Sequence, residues 1–361
     1  MTPKRTVLVA MSGGVDSSVA ACLLLERGHD VIGSHLKLVH TGGVEHGCSG
    51  PQAEADDRAV AHRAGFPFEV VDFSDVFEER VVADYVAEHQ AGRTPNPCVR
   101  CNERIKFGAF LDRAAAIGAD AVATGHYVRT AEAGGRWRLY RGRDREKDQS
   151  YVLAGLTQTQ LARSEFPVGG LTKAETRAAA ARFDLPVAGK PDSQDLCFAP
   201  AADAAGFLER RAPGLAREGE VVDTAGRVVA THGGTHRFTI GQRRGLGVST
   251  GERTYVVAVE AHRNRVVVGP EALLARAGLE AERVNWIVPP PEGPIEGEVK
   301  IRYRGPDIPA VVAPRPDGGV DIRFRYPQRA VTPGQQVVFY AGDEVLGGGT
   351  IRRPVGGPRS V

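Results

Sequence analysis

From Thr6 to Tyr127 the chain alternates short apolar runs with segments whose apolar residues recur every three to four positions. TVLVAM, DVIGSHL, FEVVDF and DAVATGHY read as strands. SSVAACLLLERG, AEADDRAVAHRAG, DVFEERVVADYVAEHQAG and FGAFLDRAAAIGA read as helices, the first stopped at Gly28 and the third at Gly92. Strands and helices alternating at this spacing demand a parallel, doubly wound sheet, because each parallel crossover needs a helix. Ligands in such sheets bind at the carboxyl ends of the strands, where the SGG, HLK and TGHY stretches fall together. TKAETRAAAARFDLP is a last strong helix, with Thr172 and Glu175 spaced as a capping box.

After Pro200 helical periodicity fades. GEVVD, RVVATH, HRFTIG, RTYVVAVEA and RVVVG form short β-runs; beyond PPPEGP follow EVKIRYRG, AVVAPR, GVDIRFRYP, QQVVFYAGD and EVLGGGTIRR. The expected class is therefore α/β at the N-terminus, then a small β-rich domain and a C-terminal β-barrel, with boundaries at 1–205, 206–275 and 276–361. No internal repeat or low-complexity tract is present, and the RRPVGGPRS tail is expected to fray. No apolar run has the ~18–20 residues a membrane span needs, and the N-terminus lacks a signal-peptide pattern, so a cytoplasmic protein is expected. A net charge of +2 neither demands nor forbids a polyanionic partner.

AMSGGVDSSVA (10–20) joins a strand to a helix. Its glycines allow a tight turn with N–H groups facing an anion, its serines add hydroxyl donors, and the helix N-terminus favours negative charge. It lacks the G-K-[ST] of a Walker A loop. Asp16 suits either a metal ion that accompanies such an anion or a helix cap.

Five cysteines in 361 residues are too few and too unevenly spaced for a disulfide scaffold. Cys22 falls on an apolar helix face and reads as a small buried hydrophobe, as does Cys48 less securely. Cys98 and Cys101 sit in TPNPCVRCNERIKF, a Pro-rich loop with little apolar cover, where Arg100, Arg104 and Lys106 would favour thiolate. With Cys197 in KPDSQDLCFAP they would make three thiolates, one short of a closed four-cysteine metal site.

The phosphate loop resembles the SGGxDS loop of PP-loop ATPases, the adenine nucleotide hydrolase-like enzymes that hold the pyrophosphate of ATP and transfer AMP. More widely, SGGVDSSVAA, AGRTPNPCVRCNERIKFG, ATGHY, KDQSYVL, DSQDLCF, GQRRGLG and AVTPGQQVVFY occur in the order found in tRNA-specific 2-thiouridylases, the MnmA/TrmU family. That resemblance covers nearly the whole chain. It implies ATP-driven replacement of oxygen by sulfur at C2 of the wobble uridine in the tRNAs for Lys, Glu and Gln. Cys101 would be the catalytic nucleophile and Cys197 the persulfide carrier, loaded by a cysteine desulfurase or sulfur-relay protein, with a transient Cys101–Cys197 disulfide. ATP would be bound by Ala10, Met11, Ser12, Gly13, Gly14, Val15, Asp16 and Ser17, with Leu36 and Gly125 reading the adenine; plain core packing is an equal reading of Leu36. For tRNA the resemblance implies Asn96, Pro97, Cys98, His126, Asp148, Gln149, Ser150, Arg302, Tyr303 and Gln335. KIRYRG and IRFRYPQR interleave arginine with aromatics, as stacking and phosphate contact require, although an amphipathic strand gives the same pattern.

Many family members carry Asp where this chain has Cys98. The extra thiol either lines the base pocket or supplies a third ligand to an iron–sulfur cluster; persulfide chemistry is preferred because the sequence shows no fourth ligand. A ligase or amidotransferase of the PP-loop class is the alternative enzyme, and the cysteine pair speaks against it. An RNA- or metal-binding module without catalysis would leave the phosphate loop without purpose.

Overall fold

The computed structural model describes residues 3–40, 50–191, 196–199, 203–248 and 253–357. The chain divides into two compact units: Met1–Val82 with Cys98–Ala202 and Asp343–Leu346, and Ala83–Pro97 with Asp203–Gly342 and Gly347–Val361.

The first unit is built on β1 (Thr6–Met11), β2 (Asp30–Lys37), β3 (Phe68–Asp72), β4 (Ala121–Ala123) and β7 (Ser164–Glu165), in the order β3-β2-β1-β4-β7. Every neighbouring pair is parallel, with Val9 level with both Gly33 and Ala123. Val7, Leu8 and Val9 of the central strand are fully buried, which is why TVLVAM is a continuous apolar run rather than an alternating one. Helix α1 (Val15–Glu26) packs on this sheet and against the helix Lys173–Arg182, burying Val15, Val19, Leu24 and Cys22. Helix α2 is Pro51–Ala64, with Pro51 at its start and left-handed Gly65 at its end. Thr172 and Glu175 form the expected capping box. A hairpin not foreseen from the sequence, β5 (Val128–Ala133) and β6 (Arg136–Arg141), turns on Gly134 and Gly135, both with positive φ. Its strand β6 pairs through Tyr140 and Leu139 with Glu344 and Val345.

Two helical stretches are more irregular than their periodicity implies. The 74–90 segment runs as Ser74–Phe77, a π-helical Glu78–Val82 and Ala83–Gln90. The segment expected to be a cysteine-bearing loop is helical: Pro97–Cys101, then π-helical Asn102–Ala109, then Phe110–Ala116. Pro97 takes the first helical position, where a missing N–H costs nothing.

The second unit contains a four-stranded sheet ordered β10-β11-β8-β9, from β8 (Gly219–Val222), β9 (Val228–His232), β10 (Tyr255–Glu260) and β11 (Arg265–Gly269). HRFTIG is not one of its strands: Thr235–Arg237 forms a 3-10 turn that delivers Phe238 into the core with Val221, Val256 and Val266. The helix Ala204–Arg211 departs from the expected fading of helix after Pro200. The C-terminal strands β12 (Ala275–Trp286), β13 (Ile295–Lys300), β14 (Ile308–Pro314), β15 (Val320–Arg329), β16 (Gln336–Ala341) and β17 (Glu344–Val355) run in the order β12-β15-β14-β13-β16-β17. Pairing of β17 back onto β12 closes the barrel and removes its edges. The expected strand EVKIRYRG stops at Lys300, and RRPV continues β17 to Val355 instead of fraying.

Candidate active site

β1 ends in the phosphate loop, and the loop's shape is set by contacts beneath it. Gly13 has φ +65°, and a Cβ on it would lie 2.5 Å from Ala53 Cα of α2; only glycine fits. Its N–H donates to Asp57 Oδ1 at 2.7 Å, while Asp57 Oδ2 lies 2.8 Å from His35 Nδ1 at the end of β2. Ser12 N–H donates to Ser17 Oγ at 3.3 Å, and Ser18 Oγ to the Gly14 carbonyl at 2.8 Å. Two of the loop amides expected to face an anion are thus spent elsewhere, Ser12 on Ser17 and Gly13 on Asp57 of α2. The donors left are those of the first turn of α1, whose cap Gly14 supplies no side-chain bond.

β4 brings its own residues to the same turn. A Cβ on Gly125 would stand 2.5 Å from Ser17 N, so the strand end lies directly against the N-terminus of α1. Asp16 Oδ1 is within hydrogen-bond distance of Tyr127 Oη (2.8 Å) and Lys173 Nζ (2.7 Å), with Tyr127 Oη also 3.0 Å from Thr176 Oγ1. Lys173 is the charge partner that the sequence left hidden within a helix. His126 is buried, with Nδ1 2.7 Å from Thr124 Oγ1. Burial, with Lys106 nearby, holds its imidazole well below the usual range, so it is neutral at pH 7. Leu36 is buried in the sheet.

The four described cysteines differ in exposure: Cys98 is exposed, Cys197 partly exposed, and Cys101 and Cys22 are buried. Burial, reinforced by Glu26, pushes the Cys22 thiol up to about 11, which makes it inert. Cys48 lies outside the described residues, as do 192–195 of the stretch leading to Cys197. The burial of Cys101 overturns the expectation of a poorly covered loop: the segment is helical, and Val99, Cys101 and Ile105 are all buried. Two of the three cations expected to activate it are engaged: Arg100 with Glu103 at 2.7 Å, and Arg104 with the Arg80 carbonyl at 2.5 Å.

Both cysteine segments are anchored on one turn of helix. Phe198 is buried with its ring 5.6 Å from that of Phe77, and Ser74–Phe77 packs against Asn102–Ala109, the π-helical stretch that follows Cys101. Gln160 holds that stretch from behind, its Nε2 donating to the carbonyls of Glu103 and Phe107 at 3.1 and 2.7 Å. Among the described residues no three His, Cys, Asp or Glu side chains form a metal-ligand group.

The residues implied for tRNA fall in different places. Asp148 and Ser150 are buried; Asp148 accepts from the Gly142 and Ser150 N–H groups, both at 3.1 Å, and from Ser150 Oγ at 2.9 Å. Gln149 between them is partly exposed, and its Oε1 accepts the Tyr127 N–H at 2.9 Å. In the second unit, Gln335 Nε2 donates to the Thr94 carbonyl at 2.6 Å, Thr94 N–H donates to the Pro333 carbonyl, and a Cβ on Gly334 would meet Thr94 N at 2.9 Å. The TPGQ turn therefore grips the strand of chain carrying Asn96 and Pro97. Arg302 and Tyr303 are exposed in a turn, with Arg302 donating to the Ala330 carbonyl at 2.7 Å. On β15 Phe324 points into the barrel, so of the arginines and aromatics in IRFRYPQR the exposed ones are Arg323, Arg325, Tyr326 and Arg329.

Fold and site define a class: an α/β domain presenting a glycine- and serine-rich phosphate loop at the carboxyl edge of a parallel sheet, followed by two β modules. Residues 5–201 match the domain family described as tRNA methyl transferase HUP domain, 205–270 the tRNA methyl transferase PRC-barrel domain, and 276–351 the aminomethyltransferase beta-barrel domain. Full-length relatives are more specific. The chain is 48% identical over 360 residues to the tRNA-specific 2-thiouridylase MnmA of Geotalea uraniireducens, covering 98% of this chain and 96% of that protein. It is 49% identical to the protein of that name from Heliobacterium modesticaldum, covering 97% and 93%. The corresponding Geobacter metallireducens protein is 48% identical, with 96% and 97% covered. The chain belongs to the tRNA-specific 2-thiouridylase family. The domain descriptions mention methyl transfer, but they are matched piecewise, whereas the relatives match along nearly their whole length and decide the family.

Proposed function

We propose that this chain is a tRNA-uridine 2-sulfurtransferase that uses ATP to replace O2 of the wobble uridine with sulfur. The observation that carries the reading is the presence, in one compact unit, of the phosphate loop on the N-terminus of α1 and of Cys101 and Cys197 on segments anchored to the Phe77 turn. ATP lies along Ala10–Ser17 with Leu36 and Gly125 at the adenine, and the unspent amides of Val15, Asp16 and Ser17 take its phosphates. Asp16 keeps one carboxylate oxygen, Oδ2, for the Mg²⁺ that travels with ATP.

The uridine O2 attacks the α-phosphorus and pyrophosphate leaves. The terminal sulfur of a Cys197 persulfide adds at C2 and AMP departs. The Cys101 thiolate then attacks Cys197 Sγ; the sulfur–sulfur bond breaks toward the base, leaving 2-thiouridine and a Cys101–Cys197 disulfide that cellular thiols reduce. A cysteine desulfurase or relay protein supplies the sulfane sulfur in the cytoplasm. Asn96, Pro97, Cys98, His126 and Gln149 surround the flipped base, as chemistry on a base requires, with Asp148 and Ser150 shaping the turn beneath Gln149. Residues 1–205 are the catalytic domain, 206–275 and 276–361 are separate modules, and Arg302, Tyr303 and Gln335 belong to the tRNA-gripping barrel. The tRNAs for Lys, Glu and Gln are the substrates.

Cys101→Ser and Cys197→Ser variants, given ATP, a persulfide-generating sulfur source and unmodified tRNA, are expected to lose thiolation while retaining ATP binding. Thiolation undiminished in either variant would refute the roles assigned.

A further inference from the structure

Asp57 takes no part in the chemistry above, yet it is the most deeply buried acid among the described residues, at 0% exposure, and His35 beside it is at 1%. A carboxylate in that position is costly unless it is hydrogen-bonded and paired. Its two oxygens are committed in two directions, Oδ1 to the Gly13 N–H at 2.7 Å and Oδ2 to His35 Nδ1 at 2.8 Å. Ala53 and Asp57 stand one helical turn apart on the same face of α2, the first against the Cα side of Gly13 and the second on its amide. Gly13 is thereby wedged and clasped by one helix in a left-handed conformation. An apolar residue would fill the same space without holding the amide.

We propose that Asp57 and His35 are positioning residues for the nucleotide: the His35-held carboxylate clasps the Gly13 N–H and fixes the phosphate loop in its binding shape before ATP arrives. With the Gly13 amide turned inward, the amides from Gly14 to Ser17 are left to converge on the phosphates. The effect is preorganisation, which lowers the ordering cost of binding. The inference rests on reading this loop as the ATP site, and it assigns the two residues no contact with substrate.

The test compares Asp57→Ala, which removes the acceptor, with Asp57→Asn, which keeps an oxygen for Gly13 in a side chain of equal size. Titration of the full chain with α,β-methylene-ATP and Mg²⁺ should give a dissociation constant raised about tenfold or more in Asp57→Ala, the loss of one charge-assisted hydrogen bond. In Asp57→Asn it should stay within about threefold of the parent, with tRNA affinity unchanged in both. Equal nucleotide affinity in Asp57→Ala and the parent, equal loss in both variants, or a parallel loss of tRNA affinity would overturn the proposal. Amide hydrogen exchange on the parent chain needs no variant: Gly13 should be protected without nucleotide, and Gly14–Ser17 only after the analogue is added. A Gly13 amide exchanging as fast as its neighbours would equally overturn it. Failure of the parent to bind the analogue would sink the nucleotide reading itself, and Gly13 protection would still report on the clasp.

Discussion

Cys22, Cys98, Cys101 and Cys197 separate by environment, and their reactivity should follow. Cys98 is exposed on the outer side of its helix and Cys197 partly so, whereas Cys101 is buried and Cys22 is both buried and raised to about 11. Alkylation with iodoacetamide near neutral pH, followed by peptide mapping, should modify Cys98 first, then Cys197, with Cys22 last; early labelling of Cys22 would contradict the packing. A sulfur donor must reach Cys197, and its partial exposure suits that, while a shielded Cys101 is protected from premature oxidation. At this scale the glycines, serines and cysteines of the site were legible because each sits in a short local pattern. His35, Asp57, Lys173 and Gln160 were not, because their partners are 22 or more residues away along the chain and emerge only when strands and helices pack.

The π-helical Asn102–Ala109 is the element on which Cys101 depends. Gln160 supports it twice over, donating to two of its carbonyls while its Oε1 accepts the Thr157 N–H at 2.9 Å. Gln160→Ala should destabilise the chain by about 1–3 kcal/mol, the cost of leaving buried acceptors unpaired, and should slow thiolation at saturating ATP without raising the KM for ATP. Thermal unfolding and steady-state kinetics check both; an unchanged melting temperature would show that the carbonyls find other partners. The parallel strands and α1 were legible because continuous apolar runs and helical periodicity agree with their burial. Strand β12 was missed because ARAGLEAERVNW is rich in Ala and Glu, good helix formers; only the barrel, burying Gly278–Ala281, makes it a strand. The cysteine segment was misread in the opposite sense: its prolines suggested a loop, but Pro97 begins a helix.

At the scale of the whole molecule, pH is the lever on the second unit. His89 is buried beside Tyr85, their rings 4.6 Å apart, and burial, with the charge of His236, lowers its pKa to about 4. The unfolded chain takes up this proton near 6.5 and the folded chain only near 4. Between those values the unfolded state binds more protons, so stability falls as pH drops from 6.5 to 4 and levels off below. The loss is up to about 3 kcal/mol, and His232, lowered chiefly by burial, adds to it with the same sign. Urea unfolding across this range should show that slope, and His89→Gln should flatten it; an unaltered slope would place the titration elsewhere. The succession of an α/β domain and β modules was legible from the change in periodicity near Pro200, while closure of the barrel depends on β17 returning to β12, a pairing no local pattern announces. The central claim is that two cysteines nearly a hundred residues apart in sequence act on one base. A single-turnover reaction with persulfide-loaded protein, ATP and unmodified tRNA, quenched without reductant and mapped by mass spectrometry, tests it most directly. A Cys101–Cys197 disulfide forming in step with 2-thiouridine, one for one, is the predicted result; thiouridine accumulating while both thiols stay reduced would contradict the account.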